Sequence, residues 1–501
     1  MSYRTLYEPS FSEYRRLSGK GNLIPVYGEI LGDLETPVSA FLRFSDREYA
    51  FLFESVEGGE KWARYSFLGS NPQVIFRSKG THAEIIRGTR AETITGFKDA
   101  LEPLKGLLSE YKPVEVPGLP RFSGGAVGYL AYDMVRYFEK IPDNTVDELH
   151  SWDSHFFITD TIIIFDNVRH TIKVVVNTHL TDQRRAKAVY DEAIQRIDRI
   201  IKDLRAPVSV SPAGFDQGEL RFKSNFSPAE YRKVVKRCKE HIRRGDIIQV
   251  VPSQRYRAPA RVDTFELYRA LRHINPSPYL FFLRLGSETL VGSSPEVLIR
   301  VEGRRAELRP IAGTRPRSKT PSEDTALERE LLHDPKELAE HIMLVDLGRN
   351  DLGRVCKTGT VEVSEFGMVE RYSHVMHIVS NVRGELARNR DCYDVFRAAF
   401  PAGTLTGAPK IRAMEIIEDV EPVRRGFYGG AVGYFSFSGN MDMCIAIRTM
   451  LIKDGMITIQ AGGGVVADSD PGREYQETVN KAQALIKAVE MARAGLKIGD
   501  G

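Results

Sequence analysis

The chain has 501 residues, 42% hydrophobic and 27% charged, a composition suited to a water-soluble globular body of about two to four domains or one large α/β core. Lys+Arg 70 against Asp+Glu 67 leaves a formal charge of +3; with no basic block and no basic–aromatic alternation, a nucleic-acid partner is not expected. The opening residues lack the apolar core of a secretory signal, no apolar run nears the roughly 18 residues of a membrane span, and Cys238, Cys356, Cys392 and Cys444 form no Cys-x-x-Cys pair, so a cytoplasmic protein with no membrane partner and no cysteine-bound zinc is expected.

In chain order, residues 41–43, 50–54 and 74–77 read as strands, and 97–111 as an amphipathic helix. Residues 159–165 and 171–176 read as antiparallel strands around a turn at 166–170, and 182–204 as a charged amphipathic helix. Residues 206–220, with two prolines and no periodicity, predict a linker between an N-terminal region (1–205) and a catalytic region (221–501). Ser227-Pro228-Ala229-Glu230 has the form of a capping box with proline at the first helical position, and Gly245 ends that helix. The apolar run 246–251 reads as a buried strand. Gly-Gly-Ala-Val-Gly-Tyr occurs twice, from Gly124 and from Gly429, which suggests matching strands in two sheets or two parts of one core. Long β runs with scattered helices favour an α+β fold, antiparallel sheets covered by helices.

The chemistry concentrates near the C-terminus. Residues 456–460 read as a strand, followed by Gly462, Gly463 and Gly464, a Pro-Gly turn and a helix carrying Glu474, Glu477 and Lys481 on one face. Bare glycines allow close backbone approach and offer N–H groups to an anion. Upstream, a helix starting near Asp334-Pro335 carries Glu337 and Glu340 at the same spacing, with Leu338, Ile342 and Val345 as its apolar stripe. Each pair alone fits a solvated helix face. If all four converge, two unit charges about 4 Å apart at an effective dielectric of ~20 repel by about 4 kcal/mol. Such a cluster needs a divalent cation or raised pKa values, and oxygen ligands without His or Cys suit Mg²⁺ shared with an anionic substrate. There is no Gly-x-x-x-x-Gly-Lys-Ser/Thr and no Gly-x-Gly-x-x-Gly after a strand, so a small carboxylate or phosphate fits better than a nucleotide. Arg448, in the strand-like run 444–449, reads either as a carboxylate clamp or as an edge-strand charge. His377 alternates with apolar residues, as a satisfied core histidine would.

Several segments together resemble the chorismate-utilising enzymes, in particular the component I (large-subunit) type of anthranilate synthases. They include Gly245-Asp246-Ile247-Ile248-Gln249-Val250, Asn275-Pro276-Ser277-Pro278-Tyr279, Ser293-Ser294-Pro295-Glu296 and Arg309-Pro310-Ile311-Ala312-Gly313-Thr314-Arg315. The series continues through Asp346-Leu347-Gly348-Arg349-Asn350-Asp351, His374-Val375-Met376-His377, the run from Phe400 to Lys410, and Ala461-Gly462-Gly463-Gly464. The likeness is continuous from Ser227 to Val489; residues 25–165 resemble the family's more variable N-terminal part.

This resemblance implies two large, mostly antiparallel sheets packed as a sandwich with helices outside. It implies that Glu340 and Glu477 contact Mg²⁺ while Glu337 and Glu474 hold its waters. Gly313, Thr314, Gly462 and Lys481 would steady the ring carboxylate of chorismate; Tyr428, Arg448 and Gly464 would hold its enolpyruvyl carboxylate, with Gly463 in the same glycine run. Glu296 would be the general acid, with Thr404 in the same set, and His377 would serve the elimination of pyruvate. Gln249 stands where water-using relatives carry a lysine base, and Ala312 where aminodeoxychorismate synthases carry a nucleophilic lysine, so ammonia is the expected nucleophile. Glu54, Ser55, Pro276, Ser277, Pro278, Tyr279 and Leu280 resemble a tryptophan feedback pocket, with Cys444 nearby. The implied partners are a glutamine amidotransferase subunit (component II), in a hetero-oligomer of which a heterotetramer is one form. The alternatives are an aminodeoxyisochorismate synthase, an aminodeoxychorismate synthase component I, and an inactive tryptophan-sensing scaffold, which predicts broken acid or metal positions.

Overall fold

The two Gly-Gly-Ala-Val-Gly-Tyr segments lie side by side. The strand Gly125–Leu130 pairs antiparallel with Ala431–Ser436, Gly128 opposite Gly433, so the echo marks the seam of one sheet. The computed structural model describes residues 6–55, 64–208, 218–318, 320–372 and 375–497. Much of the predicted linker, and His374, lie outside the described residues.

Two sheets of twelve strands each dominate, all of their described pairings antiparallel. In the first, an N-terminal half ending at Tyr49–Glu54 joins a C-terminal half beginning at Tyr279–Leu285, Leu280 opposite Glu54. In the second, the join is Gly125–Leu130 against Ala431–Ser436. Regions 1–205 and 221–501 thus contribute strands to both sheets and share one apolar core. Aromatic rings interlock between the sheets: Phe51 lies 5.8 Å from Phe157, and Phe67 lies 5.3 Å from Phe122 beside Tyr434. Face-to-face burial of apolar strands is what drives such a sandwich. Helices cover the outer faces, each through its apolar stripe: Ala186–Leu204 buries Tyr190, Ala193, Ile197, Ile201 and Leu204. Among the described residues no helix is long and apolar enough to cross a membrane.

The capping box at Ser227 forms as read, starting the helix Pro228–Arg243. Four local readings change. Residues 41–43 end a helix, Pro37–Leu42, because Thr36 and Ser39 cap each other and Pro37 fixes the first turn. The helix predicted over 97–111 is confined to Leu101–Ser109, since the Asp99 carboxylate accepts the Leu101 N–H and turns the chain there. The run 246–251 pairs only at Gln249–Val250, against Gly407–Ala408, with Ile248 64% exposed; Pro252 follows, and the chain enters the first sheet as Ser253–Pro259. Ile342 is 49% exposed, so the buried stripe of Pro335–Gly353 runs instead through His341, Leu344, Val345, Gly348 and Leu352.

At the seam a Cβ on Gly128 would stand 2.0 Å from the His155 carbonyl oxygen, a backbone atom with nowhere to go. Gly128→Ala should destabilise the fold by about 3 kcal/mol or more, read as a lowered melting temperature.

Candidate active site

Two helix starts face one another across a cavity of about 1520 Å³, its open mouth included. Asp334 caps the first, accepting the N–H groups of Lys336 (3.0 Å) and Glu337 (3.3 Å), with Pro335 in the first turn. Asp470 caps the second, accepting from Gly472 and Arg473 at 2.9 Å each, with Pro471 in the first turn. The caps bring Glu337 and Glu340, and Glu474 and Glu477, into the opening turns of their helices. There the positive end of the helix dipole favours carboxylates, and all four line the cavity. Burial raises the pKa of Glu337, aided by the Glu340 charge, and burial likewise raises that of Glu474, aided by Glu477.

Coupling therefore runs within each pair, and among the described residues no three acidic, histidine or cysteine side chains close into a metal cage by themselves. The donor chemistry nonetheless fits Mg²⁺, which keeps several waters and needs only one or two carboxylates besides substrate. Glu474 Oε2 is buried with no hydrogen-bond partner, an acceptor left facing inward. Glu340 accepts from Gln249 Nε2 at 3.4 Å, and Lys481 Nζ donates to Glu477 Oε1 at 2.6 Å and to the Gly462 carbonyl at 3.0 Å.

Glu296 sits deeper on the same wall, 9% exposed, just before the strand Val297–Glu302. Burial pushes its carboxyl up to about 8; the Glu340 charge adds to the rise and the neighbouring Thr404 hydroxyl opposes it. It is therefore a protonated acid at neutral pH. His377 donates from Nδ1 to the Gly313 carbonyl at 2.9 Å, with Thr314 Oγ1 3.1 Å away, which leaves Nε2 as the lone-pair nitrogen. Burial lowers the pKa of this ring, so it is neutral. The histidine is thus part of the cavity wall, half-buried rather than sealed in the core.

Arg448 lies between strands, in the link from Met441–Ile445 to Thr449–Lys453 with φ +50°, which removes the edge-strand alternative. Its guanidinium makes no ion pair with any described residue and lines the cavity beside Tyr428. Burial lowers its pKa, with Tyr428 and Glu477 opposing.

The glycines have individual reasons. Gly313 has φ +66°, and a Cβ there would stand 2.8 Å from Leu331 and 3.2 Å from Glu337 Oε2. On Gly464 a Cβ would stand 2.6 Å from Gln249 Nε2, and on Gly462 2.8 Å from the Tyr428 hydroxyl. Gly463 donates its N–H to the Pro252 carbonyl at 3.2 Å, and a Cβ there would stand 3.4 Å from Glu474 Oε2 and 3.6 Å from Glu477 Oε1. Lys336, at the rim between the acidic pairs, and Gln460, on the floor, line the cavity without having been singled out. Lys336 reads in sequence as one more solvated cation; its only signal is the capping Asp334 two residues before it.

A second cavity, about 590 Å³ with its mouth, lies between the two sheets. Glu54, Ser55, Pro278, Tyr279 and Leu280 line it, whereas Pro276 and Ser277 do not; Ser277 is buried elsewhere. Its floor is polar. Asp442 accepts from Tyr279 (2.9 Å), Arg300 (2.9 Å) and Arg121 (3.1 Å). Glu54 is already engaged by Arg272 at 3.0 Å and by the Tyr268 hydroxyl, and shapes the wall without extending inward.

The family model for chorismate binding enzymes matches residues 49–487. The chain is 48% identical over 491 residues to anthranilate synthase component 1 of Acetivibrio thermocellus, covering 97% of this chain and 99% of that one. It is 47% identical to the component 1 of Aquifex aeolicus (strain VF5), over 96% and 98%. The crystal structure of anthranilate synthase component I from Streptococcus pneumoniae TIGR4 superposes with a TM-score of 0.74 at 35% identity, covering 91% of this chain and 98% of that one.

The protonation of Glu296 can be read without any ligand. With ¹³C-labelled glutamate carboxyls, one resonance should titrate near pH 8 and vanish in Glu296→Gln; titration of every glutamate below pH 6 would remove the buried acid.

Proposed function

This chain belongs to the chorismate-binding enzymes, and on that premise we propose that it converts chorismate and ammonia into anthranilate and pyruvate, as the component 1 of an anthranilate synthase. The observation that carries the reading is Glu296, a buried acid held protonated to about 8 in the cavity that also presents Arg448 and Lys481. Chorismate is a dianion. Arg448, without a carboxylate partner among the described residues, suits one carboxylate, with the Tyr428 hydroxyl and the Gly464 backbone beside it. Lys481, Thr314 and Gly313 suit the other. Glu340 and Glu477 would hold Mg²⁺, with Glu337 and Glu474 on its waters. Bound there, the ion would act as Lewis acid and template toward the ring carboxylate.

Glu296 gives its proton to the departing C4 hydroxyl, which leaves as water, while ammonia adds at C2. Gln249, a neutral amide within reach of Glu340, cannot activate water as a base, which suits a nucleophile that needs no activation. Ala312, on the same wall, offers no amine to attack the ring. The neutral Nε2 of His377 is an acceptor for the C2 proton when pyruvate is eliminated and the ring becomes aromatic. The relatives are named component 1, which supports a second component, a glutamine amidotransferase subunit, as the source of ammonia.

The cavity between the sheets is the proposed tryptophan feedback site. Phe67, Phe281 and Tyr434 give it aromatic walls, and Arg121 and Arg300, set among Glu54 and Asp442, offer charged partners to an amino acid's carboxylate and ammonium. Two strands run from this cavity to the active site. Val297–Glu302 carries Arg300 in one and follows Glu296 in the other; Met441–Ile445 carries Asp442 and Cys444 and leads to Arg448. Tryptophan that spread or twisted these strands would favour a state with a displaced acid and clamp.

Incubated with chorismate, Mg²⁺ and ammonium, the chain should release anthranilate and pyruvate in equal amounts, and none with glutamine alone. Isochorismate, or an aminated product without pyruvate, would refute the assignment. Glu296→Gln should lower kcat at least about 100-fold, and parent kcat should fall as pH rises through about 8, where the acid loses its proton. EDTA should abolish turnover and Mg²⁺ restore it. Ser55→Ala should raise the tryptophan concentration for half inhibition about tenfold; unchanged inhibition would remove tryptophan from this cavity.

A further inference from the structure

Behind the wall of the active site, outside the cavity, Arg425 and Glu421 form a fully enclosed ion pair, 2% and 5% exposed. The guanidinium donates to both carboxylate oxygens of Glu421, Nη2 to Oε1 at 2.6 Å and Nε to Oε2 at 3.0 Å. Two further N–H groups go to backbone carbonyls of two separate segments, Nη1 to Leu405 at 2.7 Å and Nη2 to Val251 at 2.6 Å. Its flat face lies 5.6 Å from the centre of the Tyr428 ring and 4.7 Å from that of Tyr132. Glu421 extends the grip: Oε1 accepts from both the N–H and the hydroxyl of Ser253 at 2.8 Å, and Ser253 Oγ accepts from Gln460 Nε2 at 2.8 Å. Val251, Leu405, Tyr428 and Gln460 all line the cavity, and the segments holding the first two also carry Gln249 and Thr404.

We propose that the Glu421–Arg425 pair is a positioning clamp for the reaction, setting where Gln249, Thr404 and Tyr428 stand relative to bound chorismate; as a role in turnover, this rests on the function proposed above. The chemistry explains the choice of side chain. Only a guanidinium has a planar fork that can meet a carboxylate in two places and still reach two carbonyls from different strands of chain; an ammonium at the same spot has one nitrogen. The clamp must be charged on both sides, because a lone guanidinium at this depth would be strongly disfavoured. Neither residue reaches the cavity, so both act only through the groups they hold.

The test separates positioning from plain stabilisation. Arg425→Lys keeps the charge and loses the fork, and kcat/KM for chorismate should fall about 100-fold, the scale expected when reacting groups shift by about 1 Å. In hydrogen exchange, residues 249–253, 404–406 and 427–430 should speed up in this variant while the outer strands stay as in the parent. Arg425→Met alone leaves Glu421 buried and unpaired, whereas Glu421→Leu with Arg425→Met removes both charges and should regain much of the lost melting temperature. Positioning predicts that kcat/KM does not return with it; recovery of kcat/KM in step with melting temperature would overturn the clamp and leave a merely structural pair. Parent-like kcat/KM and exchange in Arg425→Lys would overturn it equally. A parent that makes no anthranilate would overturn the proposed reaction instead, and the exchange pattern would still decide whether the pair holds the wall.

Discussion

Five carboxyl groups, Glu296, Glu337, Glu340, Glu474 and Glu477, share one cavity, and their mutual repulsion is the constraint around which the site is built. Each close pair costs about 4 kcal/mol at an effective dielectric of ~20 if both members are ionised. The chain answers in four ways. It keeps a proton on Glu296, places each acidic pair at the positive end of a helix, sets Lys481 and Lys336 against the pairs, and leaves an inward acceptor on Glu474 where a divalent cation fits. Burial does most to keep the proton on Glu296, and the Glu340 charge adds to it.

The sandwich determines how such a wall can be held still. The cavity is lined from the opening turns of two helices, from strands and from the short links between them, and each link returns at once to a sheet or a helix. Glu296 is followed by Val297–Glu302, Arg448 by Thr449–Lys453, and Gln460 lies inside Met456–Gly462. Where segments meet away from the sheets, the buried guanidinium of Arg425 supplies the hydrogen bonds that a ladder would otherwise provide. The inter-sheet cavity uses the same strands from the other side, so the two cavities are separated by a few residues of extended chain, about 3.3 Å per residue.

Much of this was legible in the residues. Capping signals located the helix at Ser227 correctly because cap and first turn are chemically local. The two glutamate pairs could be placed on helix faces by their spacing. That Glu337 and Glu340 meet Glu474 and Glu477 across one cavity could not be read from spacing; it depends on topology, and only the resemblance to a known family pointed to it. The run 246–251 misleads because an apolar stretch does not state how long its pairing lasts, and here Pro252 cuts it short. Residues 41–43 mislead because a threonine capped by serine is a weaker signal than one capped by glutamate. Arg425 leaves no mark in sequence at all: a second arginine after a proline-containing turn looks like surface, and only its depth and its four acceptors distinguish it.

The seams between the halves of each sheet carry one more consequence. The first two hundred residues cannot be exchanged as a cassette, because removing them would strip strands from both layers and expose the flank of every neighbour left behind. The cavity between the layers therefore keeps its shape only while both halves of the chain are in place.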